Sequence, residues 1–447
     1  MSNDVLTKAA WQTNDLDAFW LPFTPNRAFK DAPRLIAAAK GMHYFTPDGR
    51  AVLDGTAGLW CVNTGHNREP IVAAIKRQAE ELDYSPPFQF AQPKAFALAS
   101  RVAALAPADL DHVFFCNSGS EAVDTALKIA LAYHSVRGQA GRVRLIGRER
   151  GYHGVGFGGI AVGGIVNNRK HFGALLAGVD HLPSTYSREH QAFTTGEPAW
   201  GGHLADDLER IVALHDASTI AAVIVEPMAG STGVLPPPRG YLERLRAICD
   251  RHGILLIFDE VITGFGRLGY AFAAERYGVI PDMITFAKGV TAGSVPMGGV
   301  IVRAPIYQAF MHGPPHAIEL FHGYTYSAHP LACAAGLATL DLYRDEDLFA
   351  RALALEAPFA DAAMALKGLP GVLDIRTVGL AAGIDLASRP DAVGQRGYEA
   401  MARGFHDEGV MLRVAGDTLA LSPPLIVSEA QIGEIFEKLM RIIRAVA

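Results

Sequence analysis

Three short apolar runs in the middle of the chain each stop on an ionisable residue. They occupy residues 220–226, 254–259 and 283–288, and they end at Glu226, Asp259 and Lys288. Apolar runs of this length, about thirty residues apart, are typical of parallel strands that are buried on both faces. Because ligands bind beyond the carboxyl ends of such strands, the charged residues predict an active site at one edge of a sheet.

Strand and helix patterns alternate along the chain to about residue 300. Helical spacing is found over residues 71–81, 121–133 and 240–253, and strand patterns over residues 112–116 and 143–146. This alternation predicts an α/β fold with a doubly wound, mostly parallel sheet. After about residue 330 a small-residue helix, 329–340, is followed by long helices and short strands. We therefore expect a large domain over residues 71–328 and a smaller α+β domain formed by residues 1–70 and 329–447.

The composition narrows the classes of partner. The net charge of -6 comes from interspersed acids and bases, which argues against nucleic acid. No stretch approaches the roughly 18 apolar residues of a membrane span, and residues 1–12 lack the apolar core of a signal peptide. The predicted location is the cytoplasm, without a membrane partner.

An acid and a lysine at neighbouring strand ends suggest pyridoxal phosphate chemistry. The amine of Lys288 can hold an aldehyde cofactor as an imine, and the carboxylate of Asp259 can keep the cofactor's ring nitrogen protonated. For either residue alone, a solvated strand end is the simpler alternative. Three such ends together favour the active site.

A turn of small polar residues, 117–120, separates the strand pattern at 112–116 from the helical pattern that follows. A glycine and serine turn that opens a helix offers free backbone N–H groups and the positive end of the helix dipole, which suit a phosphate. A serine N-cap is the alternative. Beside a cofactor lysine, phosphate binding becomes the better explanation.

Residues 154–159 match the GxGxxG pattern of dinucleotide sites, with Asp180 at the expected distance. The motif does not directly follow the strand at 143–146, however, and the residues after it, including Gly163, make a poor helix. The context therefore disfavours a nicotinamide site. The preceding pair, Tyr152 and His153, either packs in the core or lies against a flat cofactor ring.

His312 and His316 have a spacing that could place both on one face of a helix. Pro314 and Pro315 between them forbid that helix. We predict no metal site here.

Several motifs carry a family resemblance. The chain resembles the pyridoxal-phosphate-dependent class-III aminotransferases of the ω-amino-acid:pyruvate (β-alanine:pyruvate) subgroup, from about Trp20 to the C-terminus. The resemblance implies the fold-type I architecture of pyridoxal phosphate enzymes. The motifs are Phe258-Asp259-Glu260-Val261, Ala287-Lys288, Ser118-Gly119-Ser120, Tyr152-His153-Gly154, Glu226-Pro227 and Tyr324-Thr325-Tyr326-Ser327-Ala328-His329-Pro330.

The resemblance implies roles around the cofactor. Lys288 would form the imine and Asp259 would pair with the ring nitrogen, so these two are the candidate catalytic residues. Thr325 would reach the phosphate of the neighbouring subunit, which implies a homodimer or higher homo-oligomer with shared active sites. The other candidate cofactor-binding residues are Ser118, Gly119 and Ser120 at the phosphate, Tyr152 and Val261 on the ring faces, His153, and Glu226 near the ring hydroxyl.

The resemblance also implies a substrate pocket. Arg413 resembles an arginine that clamps the α-carboxylate of pyruvate or alanine, and Ala420 stands where some members carry a glutamine, which leaves the preference for β-alanine open. Ordinary core packing, or a solvated strand position for Arg413, is the alternative. The candidate pocket walls are Phe23, Leu59, Trp60, Phe88 and Tyr152.

The predicted activity is transfer of an amino group from an ω-amino acid or amine to pyruvate, giving an aldehyde or ketone and L-alanine. Two alternatives use the same fold: an aminomutase and a decarboxylating transaminase. A third is a non-catalytic, cofactor-binding dimer, which would not need Lys288, Asp259 and the phosphate turn together. The physiological donor is left open by the sequence.

Overall fold

The structure is a computed structural model, and it describes residues 16–447. Residues 1–12, which are predicted to lack the apolar core of a signal peptide, lie outside the described residues. So does the start of the predicted segment 1–70. Within the described chain no helix is long and apolar enough to cross a membrane. The strands are β1 (Ala38–Lys40), β2 (His43–Phe45), β3 (Ala51–Asp54), β4 (Leu110–Cys116), β5 (Arg144–Arg148), β6 (Val179–Leu182), β7 (Ile220–Val225), β8 (Leu255–Asp259), β9 (Met283–Phe286), β10 (Gly298–Arg303), β11 (Val372–Val378), β12 (Ala381–Leu386), β13 (Val410–Met411), β14 (Arg413–Ala415) and β15 (Thr418–Leu421).

A helix lies at each predicted helical segment. Glu69–Glu81 and Gly119–Val136 reach beyond the predicted bounds, whereas Tyr241–His252 lies within the predicted 240–253. The segment predicted at 329–340 begins at Pro330 and continues to Asp345. The α-helices span Asn26–Asp31, Ala57–Trp60, Glu69–Glu81, Pro93–Leu105, Gly119–Val136, Phe157–Val162, Arg188–Gln191, Asp207–His215, Tyr241–His252, Ala273–Tyr277, Ala304–Phe310, Pro330–Asp345, Leu348–Ala354, Glu356–Met364, Gln395–Arg403 and Glu429–Val446.

The central sheet confirms the predicted doubly wound, mostly parallel architecture. Its strand order is β4-β10-β9-β8-β7-β5-β6, and the three apolar runs form the adjacent, fully buried strands β7, β8 and β9. Only β10 runs antiparallel to its neighbours in this sheet. The sequence analysis missed β10, which begins with two glycines. A Cβ at Gly298 would lie 2.4 Å from the carbonyl oxygen of Ser118, so close packing requires glycine there.

Two smaller sheets are formed by strands that precede or follow the central sheet along the chain. Strands β1, β2, β3 and β13 form one sheet, in which Asp54 of β3 pairs in parallel with Met411 of β13. Strands β11, β12, β15 and β14 form the other, which is antiparallel. Residues near the two ends of the chain thus share a sheet, in line with the expected small domain. The domain boundaries themselves stay a prediction.

Candidate active site

The three ionisable strand ends lie on neighbouring strands of the central sheet. Glu226 directly follows β7, Asp259 is the last residue of β8, and Lys288 stands two residues after β9. These strands are parallel, and Asp259 is in register with Thr285 of β9. Their carboxyl ends therefore meet at one edge of the sheet, as the sequence predicts.

Asp259 is a buried carboxylate that is held through both of its oxygens. The Oδ2 atom lies 2.8 Å from His153 Nδ1. The Oδ1 atom accepts hydrogen bonds from the backbone N–H of Val261 and from Thr285 Oγ1, both at 3.2 Å. A carboxylate has about four acceptor positions, so Asp259 is oriented by three donors and retains capacity for one more. His153 thus supports the acid, a role that the sequence analysis did not assign to it.

Glu226 ties two loops of the site together. Its side chain accepts hydrogen bonds from the backbone N–H groups of Tyr152, at 2.9 Å, and Gly230, at 3.1 Å. Burial raises the pKa of Glu226 to about 7. The nearby His153 opposes this rise, whereas Asp259 adds to it. The carboxyl therefore titrates in the neutral range while it holds Tyr152 beside the strand ends.

Lys288 has a strained backbone and an unpaired side chain. Its φ of 47° lies in the left-handed region, which is costly for a residue other than glycine. Within residues 16–447 its ammonium makes no hydrogen bond or ion pair. Burial raises the pKa of the neighbouring Cys61 thiol, and the charge of Lys288 opposes that rise. A half-buried amine without a partner is suited to react with a bound aldehyde.

The turn at residues 117–120 opens the helix Gly119–Val136. Ser118 caps this helix, because its Oγ accepts the N–H of Glu121 at 3.2 Å. A Cβ at Gly119 would lie only 2.8 Å from a methyl carbon of Val261, so only glycine lets the helix start approach the loop after β8. The free N–H groups of this helix start therefore lie beside the strand ends.

The glycine-rich motif accommodates a carboxylate of the chain itself. The Gly159 N–H donates to Asp124 Oδ1 at 2.8 Å. Cβ atoms at Gly156 and Gly158 would lie 2.3 and 2.7 Å from the carboxylate oxygens of Asp124. The helix Phe157–Val162 begins within the motif and has only six residues, which agrees with the predicted poor helix. The motif is thus explained by packing against Asp124.

A second part of the motif supports the phosphate turn. Gly154 has a φ of 85°, and a Cβ there would lie 2.5 Å from Ser120 Oγ. The Ser120 hydroxyl accepts the N–H of Val155 at 3.1 Å. The loop that carries Tyr152 and His153 is thereby joined to the helix start at Gly119.

Arg413 is a half-buried cation near Tyr152. Burial lowers the pKa of its guanidinium, and Tyr152 opposes that change. No hydrogen bond or ion pair joins the Arg413 side chain to another described residue. Its cross-strand neighbour is Ala420, which is buried. An unpaired guanidinium in this setting is suited to bind a carboxylate by two parallel hydrogen bonds.

Trp60 and Leu59 occupy one turn but differ in environment. Trp60 is 2% exposed, and it shares a hydrophobic cluster with Ile262, three residues beyond Asp259, and with Ala420. Leu59 is 58% exposed. Trp60 therefore packs between the loop after β8, which carries Ile262, and β15, which carries Ala420.

Three other predicted site residues lie at the surface of the single chain. Phe23 and Phe88 are among the exposed large apolar side chains, and Thr325 is exposed as well. Phe88 packs against Gly323, where a Cβ would lie 2.8 Å from the ring. Tyr84 donates its hydroxyl hydrogen to the carbonyl oxygen of Thr325 at 3.0 Å. Phe88 and Thr325 thus belong to one surface region.

The sequence analysis missed several residues that shape the site. Thr285, which bonds Asp259, gave a signal as the polar residue within the apolar strand β9. Asp124 stands four residues after Ser120 and so on the same helix face, but nothing local indicates its partner. Their contacts come from distant parts of the chain.

The arrangement fits pyridoxal phosphate. Lys288 could react with the aldehyde, and Asp259 has acceptor capacity for a protonated ring nitrogen. The helix start at Gly119 and Ser120 could hold the phosphate. Val261 lies against Gly119, and the Tyr152 backbone is held by Glu226, so both residues could confine the ring. The residues present therefore fit the aldehyde, the ring nitrogen and the phosphate of the cofactor.

Comparisons with known proteins agree with this fit. Residues 26–443 match the family described as aminotransferase class-III. An omega-aminotransferase of Caulobacter vibrioides is 62% identical over 96% of this chain and 98% of its own length. A beta-alanine–pyruvate aminotransferase of Pseudomonas aeruginosa is 48% identical over 97% of each chain.

A solved structure extends the likeness to the fold and the cofactor. An amine transaminase from an uncultivated Pseudomonas species, in its pyridoxal-phosphate-bound form, superposes with a TM-score of 0.88. It is 36% identical, and the match covers 96% of this chain and 99% of the other. Class-III aminotransferases depend on pyridoxal phosphate. With a family match along nearly its whole length, the chain belongs to the class-III aminotransferases.

Proposed function

We propose that this enzyme transfers an amino group from an ω-amino acid or amine to pyruvate, giving an aldehyde or ketone and L-alanine. The observation that carries the proposal is Arg413, a half-buried guanidinium beside Tyr152 that has no partner among residues 16–447. Such a group fits the carboxylate of a keto acid. The printed activities of the relatives from Caulobacter vibrioides and Pseudomonas aeruginosa support the same chemistry.

Lys288 and Asp259 would accept or hold the protons that the reaction requires. Bound pyridoxal phosphate supplies an electron-withdrawing ring that stabilises negative charge on the donor carbon. Lys288 Nζ accepts the proton from that carbon, and such positioned transfer contributes roughly 10²- to 10⁴-fold. Asp259 keeps a proton on the ring nitrogen, because an ionised, hydrogen-bonded acid stabilises an adjacent positive charge. His153, Val261 and Thr285 hold that acid in place.

Other residues would bind and orient. The backbone N–H groups at Gly119 and Ser120, behind the Ser118 cap, hold the phosphate with the help of the helix dipole. Tyr152 and Val261 confine the ring, and Glu226 fixes the Tyr152 loop through its backbone. These contacts would hold the ring beside Lys288.

The residues around Arg413 affect which amine donors the site would prefer. Ala420, its cross-strand neighbour, carries no hydrogen-bonding group. The carboxylate of a donor such as β-alanine would therefore depend on Arg413 at this position. Trp60 and Ile262 pack with Ala420 in one buried apolar cluster, and donors with an apolar substituent would suit this side of the site.

A second copy of the chain would complete the site. Thr325 and Phe88 belong to one exposed region, and Phe23 and Leu59 are exposed as well. Thr325 would reach the phosphate bound by the partner, and the exposed apolar residues would be covered on assembly. The smallest active form is then a homodimer. The cytoplasm stays the expected location.

A donor panel with pyruvate as acceptor tests the activity. The panel contains β-alanine, a longer ω-amino acid, a diamine and a simple aryl amine, and alanine and the carbonyl product are quantified together. Equal amounts of both products are expected. Consumption of donor without alanine contradicts the proposal, and an isomeric amine in its place would indicate an aminomutase. Alanine formed together with carbon dioxide would indicate a decarboxylating transaminase.

A further inference from the structure

Asp54, at the end of β3, is a fully buried carboxylate that organises the turn after it. It accepts the N–H of Thr56 at 2.9 Å and the N–H of Gly58 at 2.8 Å. Its Oδ2 also lies 2.7 Å from His66 Nε2. A buried charge is stable only with such partners, so the turn and the charge depend on each other.

The turn held by Asp54 has an unusual backbone. The φ angles of Ala57, Gly58 and Trp60 are 46°, 67° and 64°. Two of these residues are not glycine, and left-handed backbone at such positions persists only where surrounding contacts impose it. Trp60 is thus presented by a strained turn whose geometry must be maintained by other residues.

An aromatic pair closes the other side of the turn. The rings of Tyr44 and His66 lie 4.1 Å apart between centroids. A Cβ at Gly58 would lie 2.9 Å from the Tyr44 hydroxyl, so tyrosine and turn are in close contact. His66 therefore joins the carboxylate of Asp54 to an aromatic wall that limits the movement of Gly58.

The C-terminal strands clamp the same turn. Asp54 pairs with Met411, two residues before Arg413. A Cβ at Gly55 would lie 2.7 Å from the Met411 carbonyl oxygen. Ser422, two residues after Ala420, donates its N–H to the Gly55 carbonyl oxygen at 2.8 Å and its hydroxyl hydrogen to the Thr56 carbonyl oxygen at 3.1 Å. The turn is thus connected directly to the strands that carry Arg413 and Ala420.

We propose that Asp54, paired with His66, is a positioning residue that holds Trp60 in the substrate pocket and so sets the enzyme's preference among amine donors of different size. This inference rests on the proposed function and on the expectation, from the family resemblance, that Trp60 walls the substrate pocket. Asp54 acts through the turn, because its carboxylate is fully buried and occupied by Thr56, Gly58 and His66.

The test introduces Asp54→Asn into the wild type and into a Trp60→Ala variant. For each enzyme, kcat/KM is measured for a small donor and for a bulky aryl amine, and the ratio of the two values is the readout. The amount of folded enzyme cancels in this ratio. Asn cannot accept hydrogen bonds at both carboxylate positions, so we expect the ratio to change about fivefold or more. In a Trp60→Ala background the same substitution should change it by less than about twofold.

Asp282→Asn is the matched control. Asp282 also accepts a backbone N–H, from Leu256 at 2.7 Å, and binds Arg246 at 2.7 Å. It precedes β9, at the edge of the sheet opposite Lys288. The control should lower thermal stability without altering the donor ratio. An unchanged ratio in Asp54→Asn, or an equal change in both backgrounds, would overturn the proposal.

A second readout does not require turnover. With Trp11, Trp20 and Trp200 replaced by Phe, acrylamide quenching reports the accessibility of Trp60, which is buried in the folded chain. Asp54→Asn should increase quenching, whereas Asp282→Asn should not. If the wild type made no alanine, the proposed function would fail, yet increased quenching would still support control of Trp60 by Asp54. Unchanged quenching would count against that control.

Discussion

His153 and Asp259 form a buried hydrogen-bonded pair, with Nδ1 and Oδ2 separated by 2.8 Å. An ionised carboxylate can only accept, so the histidine donates its Nδ1 hydrogen. The loop after β5 therefore reaches the end of β8 and orients the acid. This pair lies next to Glu226, and the charges of both residues affect the pKa of its carboxyl group.

Asp259→Asn is expected to slow the amine half-reaction by at least roughly a hundredfold, because an amide cannot stabilise the ring proton as a charged acid does. Cofactor binding should survive better, since the proposed phosphate site at Gly119 is untouched. Stopped-flow half-reaction rates and cofactor retention after dialysis measure the two effects. Thr285→Val, which removes one hydrogen bond to Asp259, should have a smaller effect. Near-normal rates in Asp259→Asn would assign the ring nitrogen to another acid.

Lys288→Ala should prevent covalent attachment of the cofactor. Borohydride is expected to fix the cofactor onto the wild type and not onto this variant, and mass spectrometry detects the adduct. Turnover should also fall by roughly 10²-fold or more, because the proposed base for the donor carbon is lost. Lys170→Ala, which changes an exposed lysine, is the control. An adduct of wild-type yield in Lys288→Ala would show that a different amine carries the cofactor.

Arg413→Ala should lower kcat/KM for pyruvate and alanine by roughly 10- to 10³-fold, because a bidentate, charge-assisted contact is removed. A donor without a carboxylate should change far less. Arg413→Lys keeps the charge and loses the planar fork, so we expect an intermediate loss. Single-turnover rates are measured for each half-reaction. Equal losses for pyruvate and for a simple amine would indicate a structural role.

Gly119→Ala should weaken cofactor retention, because the added Cβ would lie 2.8 Å from Val261. Gly433→Ala is a matched control in the helix Glu429–Val446, where no described residue lies within 4 Å of the added atom. That control should stabilise the protein by about 0.5–1 kcal/mol through helix propensity. Thermal unfolding and cofactor release distinguish the two variants. Undiminished retention in Gly119→Ala would contradict the tight fit to Val261.

Glu226 predicts a pH dependence of the cofactor-free protein. Burial raises its pKa from 4.5 to about 7, so between these values the folded state binds more protons than the unfolded state. Its contribution to the free energy of unfolding is therefore full below about pH 4 and is lost as the pH rises through 7, by no more than about 3 kcal/mol. Glu226→Gln should become more stable relative to the wild type as the pH rises. A pH-independent difference in chemical denaturation would contradict the raised pKa.

The apolar runs and their ends determined the core of the fold. Strands β7, β8 and β9 are buried on both faces, so continuous apolar residues were enough to locate them. The helix Tyr241–His252 was equally predictable, because its spacing and the flanking glycines are local signals. Asp259 and Lys288 followed from their places at the ends of such runs.

Only the tertiary structure decided which residues contact the charged groups at the strand ends. The sequence lists both His153 and Asp259, but the contact between them spans 106 positions. The antiparallel course of β10, the carboxylate of Asp124 inside the glycine-rich motif and the turn held by Asp54 depend in the same way on distant segments. Periodicity reports which face of an element is buried, because burial is a property of each segment. The partner of a polar group is settled only when the chain closes and every buried donor and acceptor has to be satisfied.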